Sequence, residues 1–160
     1  MTRIVTGPGE DGRPAILWSG EPTTRVEFGK YRTTELWVTT SSPPEVARAF
    51  DPSERPWELE PPRGGTCFRI VEIAPESRYE AATSATETAA ESADFLAEHT
   101  TDTLDYVVVL SGEVTLRVGA AEITLHPGDS VVQQGVAHDW RNNGTQPCLM
   151  AGVLMSTVNP

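Results

Sequence analysis

The chain has 160 residues, 38% hydrophobic and 22% charged, with 23 acidic residues against 12 basic ones and a formal net charge of −11. Length and composition are those of one soluble globular domain able to bury a core. Scattered lysines and arginines make no basic patch, which argues against nucleic-acid or anionic-membrane partners, and no apolar run reaches the length of a signal peptide core or a membrane span.

The first elements read as strands. "RIVTG" and "PAILWSG" flank a turn at Glu10-Asp11-Gly12 and predict a hairpin. "TTRVEFGKYRTTELWVTTS" continues with β-branched and aromatic residues alternating with polar ones. In "TELWVT", Leu36 and Val38 fall on one face, opposite Glu35 and Trp37, so both faces are partly apolar, as at a sheet or subunit contact. Residues 41–65 hold six of the thirteen prolines, which excludes a central strand or long helix. This stretch predicts either a mobile lid or a clamp along the surface, anchored by Phe50 and Trp57. "TCFRIVEIAP" then alternates as a strand, with Cys67, Arg69, Val71 and Ile73 on one face.

Beyond it, the alanine- and glutamate-rich stretch contains Thr88 and Glu91 at capping-box spacing, with Ala89, Ala93 and Leu96 at helical spacing. A short helix over 88–98 is predicted. The last third reads "LDYVVVL", "EVTLRV", "AEITLH", "SVVQQ", "HDWRN" and "CLMAGVLMS", punctuated by glycine-bearing turns. Evenly spaced short strands of this kind predict an all-β sandwich or barrel. Cys67 and Cys148, each inside an apolar segment, predict buried reduced thiols and hence a cytoplasmic protein.

Two stretches concentrate the chemistry: His99-x-Thr101-x3-Asp105-x6-Gly112, and Pro127-Gly128-Asp129 followed by Gly135-x2-His138-x3-Asn142. These resemble the two motifs of the cupins, G-x5-H-x-H-x3,4-E-x6-G and G-x5-P-x-G-x2-H-x3-N, and within them a subgroup of small single-cupin proteins with H-x-T-D-T-x-D-Y and P-G-D-x-V-V-Q-x-G-x2-H-x-W-x-N. The resemblance covers residues 99–155. It implies a double-stranded jelly-roll barrel of one domain, with extra N-terminal strands and one short helix, and by the family's habit a homodimer. Where most cupins hold a divalent metal on three histidines and a glutamate, Thr101 replaces the second histidine and Asp105 the glutamate. The segment between Gly128 and His138 is one residue shorter than the pattern. His99, Asp105 and His138 are the metal ligands the resemblance implies, a two-imidazole, one-carboxylate set that suits iron or catalytic zinc and leaves positions open; manganese and nickel are the other candidates.

Period-two alternation in "DYVVVL" puts Asp105, Val107 and Val109 on one face and Tyr106 on the other. A buried Asp105 then needs a compensating partner: a metal ion, an arginine or a backbone amide. His126, beside a turn, and Asp102 are expected at the surface. Of Gln133 and Gln134, both candidates to face metal or substrate, alternation allows only one to point inward. Trp140 and Thr101 are the other candidate catalytic residues, one offering an indole N–H and the other a hydroxyl. The apolar wall is expected from Met150 and Leu154, or from Leu149 and Val153, depending on register. Together these predict a metal-dependent enzyme on a small oxygenated organic substrate, a lyase working through an enolate-like state. An iron-dependent dioxygenase and a non-catalytic small-ligand binder are the alternatives.

Overall fold

The computed structural model describes residues 1–46, 50–78 and 98–158. Among these, eleven strands account for nearly all regular structure: β1 (Arg3–Pro8), β2 (Pro14–Gly20), β3 (Arg25–Phe28), β4 (Tyr31–Thr39), β5 (Thr66–Ile73), β6 (Thr103–Ser111), β7 (Val114–Val118), β8 (Ala121–Leu125), β9 (Ser130–Gln134), β10 (Asp139–Arg141) and β11 (Cys148–Ser156). The helix expected at 88–98 falls almost wholly within 79–97, outside the described residues.

The strands form a six-stranded sheet, ordered β3-β4-β5-β11-β6-β9, a three-stranded sheet, β10-β7-β8, and the β1-β2 hairpin. All pairings are antiparallel. The apolar parity of each strand decides which side faces in. On β6, Asp105 and Val109 are buried while Tyr106 and Leu110 are exposed; on β9, Gln133 is buried between exposed Val132 and Gln134. Between the two larger sheets lies a core of Ile73, Val109, Val114, Leu116, Leu125 and Cys148, joined by Tyr31, Trp140 and Met150. Both cysteines are buried free thiols.

Motif glycines and the motif asparagine serve the chain path. Gly112 sits at φ +75, and a Cβ there would lie 2.6 Å from the Pro147 carbonyl oxygen, so only glycine fits the turn between β6 and β7. Asn142 is fully buried; its amide donates to the Ile73 and Gln146 carbonyls at 2.8 Å, and its Oδ1 accepts from the Gly144 N–H. It therefore holds the loop from β10 into β11.

Two expectations near the N-terminal half are corrected. β4 shifts register between Glu35 and Trp37, and this bulge turns Glu35 inward, where it is 3% exposed and pairs with Arg69 at 2.9 Å. Glu35 therefore does not share the side of half-buried Trp37, as plain alternation implied. Phe50 does not anchor the proline-rich segment, because it is 68% exposed. Trp57 does anchor it, packed on Phe28 and Arg69, and Asp51, Ser53, Glu58 and Leu59 take the place expected for Phe50. Arg3 donates to Asp51, to the Ser53 hydroxyl and to the Leu36 carbonyl, and the Thr24 hydroxyl donates to the Ser53 carbonyl. Arg69 binds the Leu59 carbonyl at 2.9 Å and the Glu58 carbonyl at 3.2 Å. The segment is strapped across the barrel.

Candidate functional site

Adjoining the core, the inner faces of β5, β11, β6 and β9 line a cavity of about 110 Å³. Register places its floor: Cys67, Leu154, Asp105 and Gln133 stand in one cross-strand row, and Arg69, Gly152, Val107 and Val131 in the next. This settles the apolar wall as Met150 and Leu154, with Leu149 and Val153 on the opposite face. Trp57 and Leu59 of the strap, with Phe28 and Tyr31, add further walls. The Trp57 ring packs 5.1 Å from Phe28 and 5.5 Å from the Arg69 guanidinium.

Two histidines meet by backbone pairing outside any strand. His99 and His138 exchange both N–H···O bonds, at 3.1 and 3.0 Å, which sets their imidazoles 4.4 Å apart between ring centres. The Nδ1–H of His138 donates to the Val136 carbonyl at 2.9 Å, so its Nε2 carries the lone pair. That lone pair faces the Gln133 amide nitrogen at 3.0 Å, and the same nitrogen reaches Asp105 Oδ2 at 3.3 Å. One amide thus spends both hydrogens, one on the imidazole and one on the carboxylate. Burial lowers the His138 pKa below the ordinary imidazole value, which keeps the ring neutral. Burial raises that of Asp105, against opposing pulls from the Thr103 hydroxyl and Arg69. Thr101, buried, shares a 2.8 Å hydrogen bond with Thr103, and beside this pair a polar chain runs Asp105–Gln133–His138. Trp140 closes it edge-on, 6.3 Å from His138.

Thr101, Asp105, Gln133, His138, His99 and Trp140 therefore all border one cavity. Gln134 does not. It is exposed because β9 alternates, and Gln133 takes the inward position. His126 is also outside, its side chain 63% exposed, and Asp102 is exposed. Sequence reasoning missed Arg69, whose signal was one cation among Cys67, Val71 and Ile73 on the inward parity of β5. It also missed Tyr31, Thr33 and Leu59, which carry no chemical signature.

Comparison with known proteins agrees with this fold. Residues 87–156 match the family model described as a Cupin domain. The matched segment is a cupin domain. Two proteins of Diaporthe leptostromiformis, phomopsin biosynthesis cluster proteins C' and D, are each 32% identical over 120 residues, covering 71% of this chain and 54% of theirs. The chain thus spans about half the length of these curated relatives. Among solved structures, the cupin domain of Schizosaccharomyces pombe Cnp3 superposes with a TM-score of 0.52 at 7% identity, over 98% of this chain and 88% of that one, a likeness of fold alone.

Cupins commonly hold a divalent metal, and the residues here can be tested for one. Among the described residues no three His, Cys, Asp or Glu side chains converge as a metal site. The Gln133 amide lies between the His138 lone pair and Asp105, at the place where a cation shared by those two would have to sit. As arranged, His99, Asp105 and His138 do not fit the ion.

Proposed function

We propose that this cupin-domain protein is a small-molecule enzyme of the lyase or isomerase kind, in which Asp105 moves a proton to or from carbon next to a carbonyl. One observation carries this reading. Asp105, a residue lining an otherwise largely apolar cavity, has Oδ1 buried without a hydrogen-bond partner while Oδ2 is held by Gln133. An orphaned buried acceptor costs about 1–3 kcal/mol in the resting protein, a cost relieved when a ligand or proton arrives.

The proposed step balances within the site. A proton leaves the carbon for Oδ1, the bonding pair moves into the carbonyl, and the enolate oxygen takes hydrogen bonds. Arg69 Nε and Trp57 Nε1, both buried and without hydrogen-bond partners, are the donors available for it. Burial raises the basicity of Asp105 and favours its protonated form afterwards. Gln133 and His138 act as positioning residues, fixing the carboxylate through the amide. Expulsion of a β-hydroxyl as water, with the proton returned by Asp105, or reprotonation at another carbon would follow from the same state. Walls as apolar as these suit an organic substrate rather than a phosphorylated sugar.

The test is exchange of α-hydrogens for deuterium in D2O, followed by NMR on acetophenone, cyclohexanone and hydroxyacetone. Exchange above the buffer rate, lost in Asp105→Asn and reduced in Gln133→Ala, is expected. Exchange that survives Asp105→Asn overturns the reading. So does near-stoichiometric metal in tag-free protein that disappears in His138→Ala, which would restore a metal-dependent lyase or, with iron, a dioxygenase.

A further inference from the structure

The strap is fixed at its ends and lightly held in its middle. At one end Asp51 and Ser53 are buried, bound by Arg3 and by the Thr24 hydroxyl. At the other, Pro61 and Gly65 are buried, and a Cβ on Gly65 would lie 2.0 Å from the Thr39 carbonyl oxygen, so the chain there is pressed onto β4. Between these posts no residue from 54 to 60 is fully buried. Arg55, Trp57 and Leu59 are half-buried, and the alternate positions Glu54, Pro56, Glu58 and Glu60 are exposed. Among the described residues, no backbone group of 54–60 pairs with the backbone of a strand, and Pro56 has no N–H to offer.

Side chains hold this middle stretch. Arg69 donates to the Glu58 and Leu59 carbonyls, and the Trp57 ring packs on Phe28 and on the Arg69 guanidinium. The Glu60 carboxylate accepts from the exposed Asp102 N–H at 3.4 Å. When the two carbonyls leave Arg69, Glu35 remains its partner at 2.9 Å, so release orphans no buried charge. The freed carbonyls and the exposed carboxylates go to water. A segment tethered in this way opens at less cost than unfolding the barrel. It covers two spaces at once. Trp57 and Leu59 are walls of the cavity, and Trp57, with Arg55, Pro56 and Glu58, also lines a hollow of about 10 Å³ bordered by Glu35 and Cys67.

We propose that residues 54–60 are a flap, hinged at Ser53 and Pro61 and latched by Arg69, whose opening uncovers the cavity while the barrel stays folded. Cys67, 3% exposed beside the flap, is its natural reporter; Cys148, 0% exposed in the core, reports unfolding. This assignment is independent of proton transfer at Asp105.

The test is the rate at which iodoacetamide alkylates each thiol of the native protein, read by mass spectrometry of the peptides at several urea concentrations below the unfolding transition. Cys67 is expected to react roughly tenfold or more faster than Cys148, and its rate should barely respond to urea. The Cys148 rate should climb with urea, because unfolding exposes far more surface than flap opening does. Arg69→Lys keeps a cation for Glu35 but loses the fork that reaches both carbonyls, and Phe28→Ala removes the ring on which Trp57 packs. Each is expected to raise the ratio of the Cys67 rate to the Cys148 rate severalfold. Both variants are needed, because Arg69 itself acts on the Cys67 thiol. If the two thiols react together with the same urea dependence, the flap is overturned. A native Cys67 rate equal to that in urea-unfolded protein overturns it too, since no closed state then exists. A ratio unchanged in Arg69→Lys, or raised there and not in Phe28→Ala, overturns the latch.

Discussion

Removing Arg69 tests the strap and the buried charges at once. Its side chain and that of Glu35 are each 3% exposed and 2.9 Å apart, and the guanidinium also ties the Glu58 and Leu59 carbonyls to the barrel. In Arg69→Met the methionine fills much of the space but leaves Glu35 buried beside no cation, with Oε1 already lacking a hydrogen bond. Taking one partner from a buried pair costs about 3–5 kcal/mol. The two freed carbonyls can turn to water with the strap and add little. For a chain of this length each kcal/mol moves Tm by about 2–4 °C, so a fall of roughly 6–20 °C is expected. Burial already holds the Glu35 pKa above the ordinary carboxylate value, with Arg69 pulling it down. Without Arg69 it rises further, so the folded state prefers the neutral acid. That contribution is present below the unfolded pKa and lost as pH rises through the folded one, so the deficit should be smallest in acid. Arg69→Met with Glu35→Leu removes both charges and should recover most of the loss at neutral pH. Urea unfolding followed by circular dichroism, with the slope checked for constancy, reads all three proteins. A single variant within about 1 kcal/mol of wild type refutes the reasoning, as does a double variant no better than the single.

Two other outcomes are expected. The folded state favours neutral His138 because burial lowers its pKa. Its contribution is therefore present above the unfolded imidazole value and is lost as pH falls through the folded one. Thermal melts between pH 8 and pH 4.5 should show an acid-side decline that flattens in His138→Asn, and an unchanged slope would contradict the assignment; Asp105, shifted upward, acts in the opposite sense. On the outer face of the six-stranded sheet, Phe68, Val153, Tyr106 and Val132 form an uncharged cross-strand row, with Tyr106 51% and Val132 62% exposed. In a chain of net charge −11 two copies repel least there, so sedimentation should show a dimer that Tyr106→Glu with Val132→Glu converts to monomer at unchanged Tm; a wild-type monomer at tens of micromolar refutes it.

Period-two alternation made much of this site legible. It sent Asp105 in and Tyr106 out, allowed only one of Gln133 and Gln134 inside, and placed Arg69 on the parity of Val71 and Ile73. A rule local to one strand could go no further. The meeting of His99 with His138 comes from a backbone bridge between two loops, and the apposition of Asp105 with Gln133 depends on how β6 registers on β9. The inward turn of Glu35 follows from a bulge in β4 that no turn residue announces. Strap contacts were the least legible, since Arg3, Asp51 and Ser53 are about fifty residues apart in places and meet only once the barrel exists. Phe50 misled for a related reason: an aromatic in a proline-rich stretch suggests an anchor, but here the neighbouring polar residues hold the chain and the ring faces water.

Gln133 connects the family motif to the chemistry proposed for this chain. A cation at this place would bring two positive charges to the carboxylate of Asp105 and the imidazoles of His99 and His138. The glutamine amide brings two hydrogens and no charge, satisfying one lone pair of His138 and one oxygen of Asp105 while leaving the other oxygen for a ligand. Because Gln133 is fixed opposite Asp105 by strand pairing rather than by a loop, the amide has few alternatives. Its two partners in turn fix which end is nitrogen, since the His138 lone pair and the carboxylate both need donors. The Oε1 end is therefore left as a second acceptor beside Asp105. The polarity of that wall, acceptors only, follows from the Val136 carbonyl that sets the tautomer of His138, and it is why a ligand must bring its own hydrogens to this side of the cavity.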